Sequence, residues 1–288
     1  MNMLEMPPLY VATDRYATKW QKRFLIAQKT QLISLIAASV GSGTAWIIRD
    51  NVQVSAAITL TALVVALFTK IFMIQFEPEK KWYNGRAAAE SIKTITWKYT
   101  QCAKPFDKGL SQVSVIQLFN QRIEDVLKMV PTLNEPSGID TQFTSSMQEM
   151  RKSKLSQRMT FYKKHRLTDQ INWYRTKSKY NMRKSYLWSI SVLIFEFIAI
   201  IFAVLRLFYI DSIDFSGIIA TAAAAILSWV QSKQFETLSQ SYAVTSHELA
   251  KVNTSLNNIT TEEKWSLTVE QGEEAISREH TLWVASHR

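Results

Sequence analysis

Four long apolar stretches limit what this chain of 288 residues can fold into. Gln31 to Ile48 runs 18 residues without a charge, and Val54 to Phe76 runs 23 residues with Lys70 alone. Leu187 to Ile210 runs 24 residues and holds Glu196 and Arg206; Ile213 to Val230 is weaker and rich in alanine. A helix needs about 20 apolar residues to cross a hydrocarbon core of about 30 Å. The second and third stretches meet that length, the first is at its lower limit, and the fourth can insert as the return arm of a hairpin. Spans are therefore expected at about 31–48, 54–76, 187–210 and 213–230. The competing reading is four buried core helices of a soluble bundle. A core helix normally keeps a polar face, and the first three stretches show almost none.

The mean hydropathy of −0.07 hides these stretches by averaging them with a polar remainder. Seven Gly and six Pro are few for so long a chain. Hairpins, Rossmann sheets and phosphate loops consume both residues, so long helices are expected instead. The lone Cys102 excludes an internal disulfide framework and a cysteine-based zinc site. A net charge of +10 calls for nucleic acid, anionic lipid or an acidic partner.

The distribution of that charge decides among these. Of 34 Lys and Arg, 31 lie in the N-terminal, central and C-terminal segments. Only Arg49 falls in the first short loop, Arg49-Asp50-Asn51, and none in the second, Asp211-Ser212. The positive-inside rule then places both termini and the middle in the cytoplasm of a multi-pass protein of the cell membrane. Basic residues beside spans are explained by topology and anionic lipid, so nucleic acid is not expected as a partner. The polar start MNMLEMPPLYVATDRYATKW does not read as a cleavable leader.

The layout occurs twice, offset by roughly 155–160 residues: a basic aromatic helix, a hairpin, then a long helix. The lead-ins are Asp14 to Thr30 and Leu167 to Ser185. Tyr16, Trp20, Phe24 and Ala27 share one helical face, either packed on a neighbour or seated in the headgroups. After the fourth stretch, Phe235, Leu238, Tyr242, Thr245, Leu249, Val252, Leu256 and Ile259 alternate at spacings of three and four, a coiled-coil seam. Trp82, Gly85, Ala89, Ile92, Thr96 and Tyr99 repeat the pattern less strongly after the second stretch. Either helices of the same chain or the same helix in other subunits would satisfy such a seam. Residues 105–150, punctuated by Pro105, Pro131 and Pro136, read as a linker. It carries one amphipathic docking helix on Val113, Ile116, Phe119, Ile123, Leu127 and Val130. The tail after residue 262 reads as a short peripheral helix. The fold class is thus an all-α integral membrane protein, two transmembrane hairpins (four spans) continuous with long cytoplasmic helices in a bundle or coiled-coil stalk.

Glu196 lies near mid-membrane and must be protonated, paired or facing water, so it is a candidate pore residue as well as a packing residue. Lys70 and Arg206 lie nearer the ends of their spans and can snorkel. Ser216, Ala220, Ala224 and Ser228 form a ladder of small residues at spacing four, beside Gly217, Thr221 and Ala225. Such faces allow close helix approach, in a pore wall or in the core of one chain. No GxGxxG, Walker A, HExxH or GxSxG motif occurs, and His165, His247, His280 and His287 are scattered even with Glu273, Glu274 and Glu279 nearby. No enzyme, cofactor or metal site is read.

Two motifs flank the hairpins. Glu77-Pro-Glu79-Lys-Lys81-Trp82-Tyr83-Asn-Gly-Arg86-Ala-Ala-Ala-Glu90-Ser91 follows the first, ending in Trp97-Lys-Tyr99, and Arg166-Leu-Thr-Asp169-Gln170-Ile-Asn-Trp173-Tyr174 precedes the second. Trp82 and Tyr83 suit the interface, and Arg86–Glu90 and Arg166–Asp169 have the spacing of helical ion pairs. These residues are read as stalk packing or as a partner or ligand surface at the membrane edge. Together the motifs resemble the SLATT families, two-transmembrane domains associated with nucleotide-second-messenger modules in prokaryotes. The resemblance implies a tandem pair: 1–104 the first domain, 105–150 the linker, 151–288 the second with stalk helix and tail. It also implies a pore-forming effector in anti-phage or other conflict systems, triggered by a nucleotide-producing or nucleotide-sensing partner. A homo-oligomer in the bilayer is expected. A non-conducting scaffold or receptor for a cytoplasmic partner is the alternative, and a small transporter the third reading.

Overall fold

The computed structural model describes residues 4–44, 52–128, 130, 142–208, 215–256 and 259–285, with side chains through Ser277. Both short loops, residues 131–141 with Pro131 and Pro136, the side chains of Glu279 and His280, and His287 lie outside the described residues. Every element within them is helical: α1 (Pro8–Thr44), α2 (Val52–Phe76), α3 (Pro78–Thr100), α4 (Gln112–Leu127), α5 (Ser145–Lys152), α6 (Leu155–Tyr162), a π-helical turn (Lys163–Thr168), α7 (Asp169–Phe208), α8 (Phe215–Lys233), α9 (Phe235–Ser255) and α10 (Glu262–Ala285). The scarcity of Gly and Pro lets α1 and α7 run for 37 and 40 residues, each joining a lead-in to a span without a break.

The chain divides into two compact units. Unit 1 comprises Met1–Trp20, Lys80–Lys179 and Leu238–Arg288; unit 2 comprises Gln21–Glu79 and Tyr180–Thr237. Four helices are long and apolar enough to cross a membrane, and each overlaps one of the four stretches read from the sequence. Only 33%, 6%, 0% and 11% of those windows is buried by the chain itself, in chain order.

Unit 2 holds the hairpins. Gly41 of α1 lies against α2 so closely that a Cβ there would stand 2.6 Å from Thr59 Oγ1 and 3.1 Å from its backbone N. Ser55 caps the contact by donating to the Gly41 carbonyl. Phe202 and Phe215 join α7 to α8, with ring centroids 5.3 Å apart. One residue in the left-handed region follows the second helix of each hairpin: Glu77 (φ 43°) after α2 and Gln234 (φ 46°) after α8. Their separation falls within the offset of the repeat, so the two copies break at matching points.

Unit 1 is a buried core. Phe106, Phe119, Met147, Met150, Phe161, Tyr162, Leu167, Leu249, Trp265 and Val269 form one cluster. Residues 105–150 therefore contribute core side chains. Ser111 caps α4 through the backbone N–H of Ser114, and the helix buries Val115, Phe119, Ile123 and Val126. Val113, expected on that face, is 66% exposed, because the apolar stripe starts two residues later. The seam of α9 packs into this same core through Leu249 and Leu256. The helix ends at Ser255, so Leu256 and Ile259 reach the core from beyond its last turn. The tail is no short peripheral helix. It forms the 24-residue α10, whose Trp265, Val269, Ala275 and Ile276 are buried. On α1, Trp20, Phe24 and Ala27 are buried while Lys19, Lys22 and Arg23 face outward, so this lead-in packs through its apolar face.

Candidate functional site

The motif residues of both copies meet in unit 1. On α3, Arg86, Glu90, Lys93, Thr94 and Trp97 recur at helical spacing. Arg86 pairs with Glu90 at 2.8 Å and with Asp14 of α1 at 3.6 Å. Glu90 also pairs with Lys93 at 3.8 Å. Burial opposes the charge on Arg86, but Glu90 and Asp14 outweigh it and raise its pKa. Burial pushes Lys93 down, with Arg166 and Arg86 adding to the effect against the pull of Glu90. Gly85 of the same motif permits the contact with α1: a Cβ there would stand 3.2 Å from the backbone of Ala17. Trp82 is half-buried with its ring 4.8 Å from that of Tyr83, which is buried.

Arg166 lies in the π-helical turn between α6 and α7. The buried positions Arg158, Tyr162, Arg166, Leu167, Ile171 and Tyr174 follow one side of the chain, and the wider turn keeps that side facing the core. Arg166 does not pair with Asp169. It is 1% exposed and donates through Nε to Glu273 Oε1 at 2.9 Å and through Nη2 to Oε2 at 2.7 Å. Tyr162 donates to Oε1 at 3.0 Å and Thr94 to Oε2 at 3.1 Å. The reason is desolvation: a guanidinium buried in this core needs a carboxylate beside it, and the exposed Asp169 is on the solvent side, where it accepts from Gln170. Burial and the charge of Glu273 push the Tyr162 hydroxyl well above its usual pKa. Glu273 raises that of Arg166 despite burial. Gly272 makes room, since a Cβ there would stand 2.9 Å from the Tyr162 hydroxyl. Trp173 and Tyr174 face Tyr242 of α9, with centroids 5.4 and 5.5 Å away.

A second buried arginine anchors the start of α10. Arg158 donates to the Gln101 carbonyl at 2.6 Å and pairs with Glu262. Trp265 Nε1 donates to the same carbonyl at 3.2 Å, and Ser266 accepts from the Lys104 N–H at 3.0 Å. Sequence reading missed Glu273, Arg158, Tyr162 and Thr94 as members of a site. Glu273 had a visible signal, a carboxylate in line with the stripe Trp265, Val269 and Ile276. Arg158 and Thr94 had none, because their partners are distant in sequence.

The candidate membrane residues belong to unit 2. Glu196 is exposed on α7, and among the described residues no hydrogen bond or ion pair reaches it. Lys70 and Arg206 are exposed as well. Ala220, Ala224 and Ser228 face outward from α8 and Ser216 is half-buried, whereas Ala223 and Ala225 are buried. Among the described residues, no three His, Cys, Asp or Glu are grouped to hold a metal ion.

The molecule is thus an all-helical chain with two helical hairpins as candidate membrane elements and one polar-latched helical core. Residues 7–159 match the SMODS and SLOG-associating 2TM effector domain 3, and residues 162–283 match the SMODS and SLOG-associating 2TM effector domain 1. The chain belongs to this SLATT family and carries two SLATT domains in tandem. No curated protein and no solved structure matches it. The ion pair Arg166–Glu273 lies within the second domain, and Thr94–Glu273 and Gln101–Trp265 tie α10 of the second domain to α3 and the turn after it in the first.

Proposed function

We propose that this chain is an oligomeric membrane effector of a prokaryotic conflict system that permeabilises the bilayer on a signal from a nucleotide-producing or nucleotide-sensing partner. The observation that carries the reading is how little the chain buries of its own spans, 6% of the apolar window of α2 and none of that of α7. Those surfaces suit lipid and neighbouring copies. Glu196 stands on one of them, and a carboxylate at that depth is stable only when protonated, paired or wet. A water-lined seam between copies meets that need. The small outward residues Ala220, Ala224 and Ser228 are suited to close approach by another helix.

On this reading both termini and residues 80–179 lie in the cytoplasm. Segments from all three regions share one compact unit, and 31 of 34 basic residues lie outside the spans and the short loops. The motif residues Arg86, Glu90, Arg166 and Trp173 then form the cytoplasmic surface and core through which a partner acts. The test is dye release from liposomes, or depolarisation of cells, paired with a native mass measurement in detergent. Leakage from an assembly larger than one chain is expected once the effector is activated. Protein verified in the membrane that never leaks in any state, yet holds a stable partner complex, would replace this reading with a non-conducting scaffold. Saturable solute uptake would replace it with a transporter.

A further inference from the structure

The α1–α8 contact of unit 2 holds an arrangement that the effector reading does not use. Lys29 Nζ stands 5.5 Å from the centroid of the Trp229 ring, and Lys233 Nζ stands 5.0 Å from the same centroid. Among the described residues neither ammonium has a carboxylate partner. Burial and the charge of Lys29 push the pKa of Lys233 down, so the two cations repel each other beside one indole. Beside them, Gln28 is 7% exposed and its Nε2 donates to Ser232. The Gln28 carboxamide oxygen is buried and has no hydrogen-bond partner.

The position along the spans is that of a membrane edge. Gly41 of α1 lies between Ser55 and Thr59 of α2, so antiparallel counting brings Lys70 level with Lys29. Phe202 lies opposite Phe215, and the same counting brings Trp229 level with Trp188, next to Leu187 where the third apolar stretch begins. Lys29, Lys70, Trp188, Trp229 and Lys233 therefore form one basic and aromatic layer, the composition of the headgroup region.

We propose that Lys29 and Lys233, with Trp229, Gln28 and Ser232, bind the headgroup of an anionic phospholipid and so join α1 of the first SLATT domain to α8 of the second. A phosphodiester placed between the two ammonium groups relieves their repulsion. A headgroup hydroxyl supplies the donor that the Gln28 oxygen lacks, which favours phosphatidylglycerol over an anionic lipid without a headgroup donor. The acyl chains then lie along the exposed apolar surface of the spans. The inference rests on the membrane reading of unit 2 and not on pore formation.

Native mass spectrometry of the full chain in detergent tests it, with phosphatidylglycerol, phosphatidylcholine and phosphatidylmethanol (an anionic phosphodiester without a headgroup hydroxyl) added in turn. Preferential retention of phosphatidylglycerol over phosphatidylcholine is expected. Lys29→Gln and Lys233→Gln should each lower it about fivefold. Lys22→Gln, which alters an exposed lysine away from the site, should leave it unchanged. Gln28→Leu should erase the preference over phosphatidylmethanol while both lipids still bind. Lys29 is exposed and Lys233 half-buried, so unfolding temperatures of these two variants should stay within a few degrees of the parent and exclude misfolding. Equal retention of phosphatidylcholine, or retention unmoved by both lysine variants, would overturn the proposal. Displacement of the lipid by millimolar inorganic phosphate would reassign the site to a free phosphate.

Discussion

At the residue scale the strongest constraint is the buried pair Arg166–Glu273, with side chains 1% and 0% exposed. Removing one partner strands the other charge. Glu273→Leu or Arg166→Met is therefore expected to lower the stability of unit 1 by about 3–5 kcal/mol in denaturant unfolding. The double variant should be closer to wild type than either single one, because no unpaired charge remains. Tyr162 adds a pH dependence. Its folded pKa lies well above 10.0, raised first by burial and then by Glu273, while the unfolded side chain ionises near 10.0. The folded state thus holds a proton that the unfolded state gives up, so its contribution is complete below pH 10.0 and falls as pH rises above it. Tyr10 and Tyr99 act in the same direction. Lys93, with its pKa lowered, gains stability as pH rises toward 10.5 and opposes them only up to there. Thermal unfolding across this range should show a net alkaline loss, and Tyr162→Phe should make its slope shallower. Half of this network was legible: Arg86–Glu90 follows from spacing, as an i,i+4 pair must share a face. Arg166 was misassigned to Asp169 because spacing says which residues are neighbours on a helix, not which face is buried.

At the element scale, helices and candidate spans were legible because apolar length and the scarcity of Gly and Pro are local properties. The breaks between them were not. Glu77 and Gln234 take left-handed backbone that costs a non-glycine residue about 1–2 kcal/mol. Gln234→Gly should recover roughly 1 kcal/mol of that in thermal unfolding, less the added freedom of the unfolded chain. Little change in unfolding temperature would mean that the side chain's own contacts offset the backbone cost. Gly41 works the other way. Gly41→Leu forces α1 from α2 against the Thr59 backbone, so a loss of about 1–3 kcal/mol is expected in detergent unfolding. The docking helix shows the resolution of pattern reading. Its existence was legible between Val113 and Val130, yet its buried face begins at Val115, where Phe119 and Ile123 continue the stripe.

At the scale of the whole molecule, Glu196 and α10 carry the predictions. Glu196→Gln removes an ionisable carboxyl from the third apolar stretch while keeping its shape, so we expect altered leakage with unchanged membrane insertion. Wild-type leakage would leave Glu196 a packing residue. Truncation before Glu262 removes Trp265 and Glu273 from the core and strands both Arg158 and Arg166. The shortened chain should fail to give a cooperative unfolding transition.

What the sequence by itself determined is the part that depends on local order: four apolar segments of spanning length, two copies of one layout, and the segments in which basic residues gather. Hydrophobic length and charge distribution act along the chain, and no tertiary partner is needed to read them. Only the tertiary structure decided which polar residues are buried and with whom. Glu273 meets Arg166 across 107 positions, Trp265 meets Gln101 across 164, and Gln28 meets Ser232 across 204. Such contacts arise from packing between distant segments, where the cost of burying a charge or an amide selects the partner and spacing along one helix has no say.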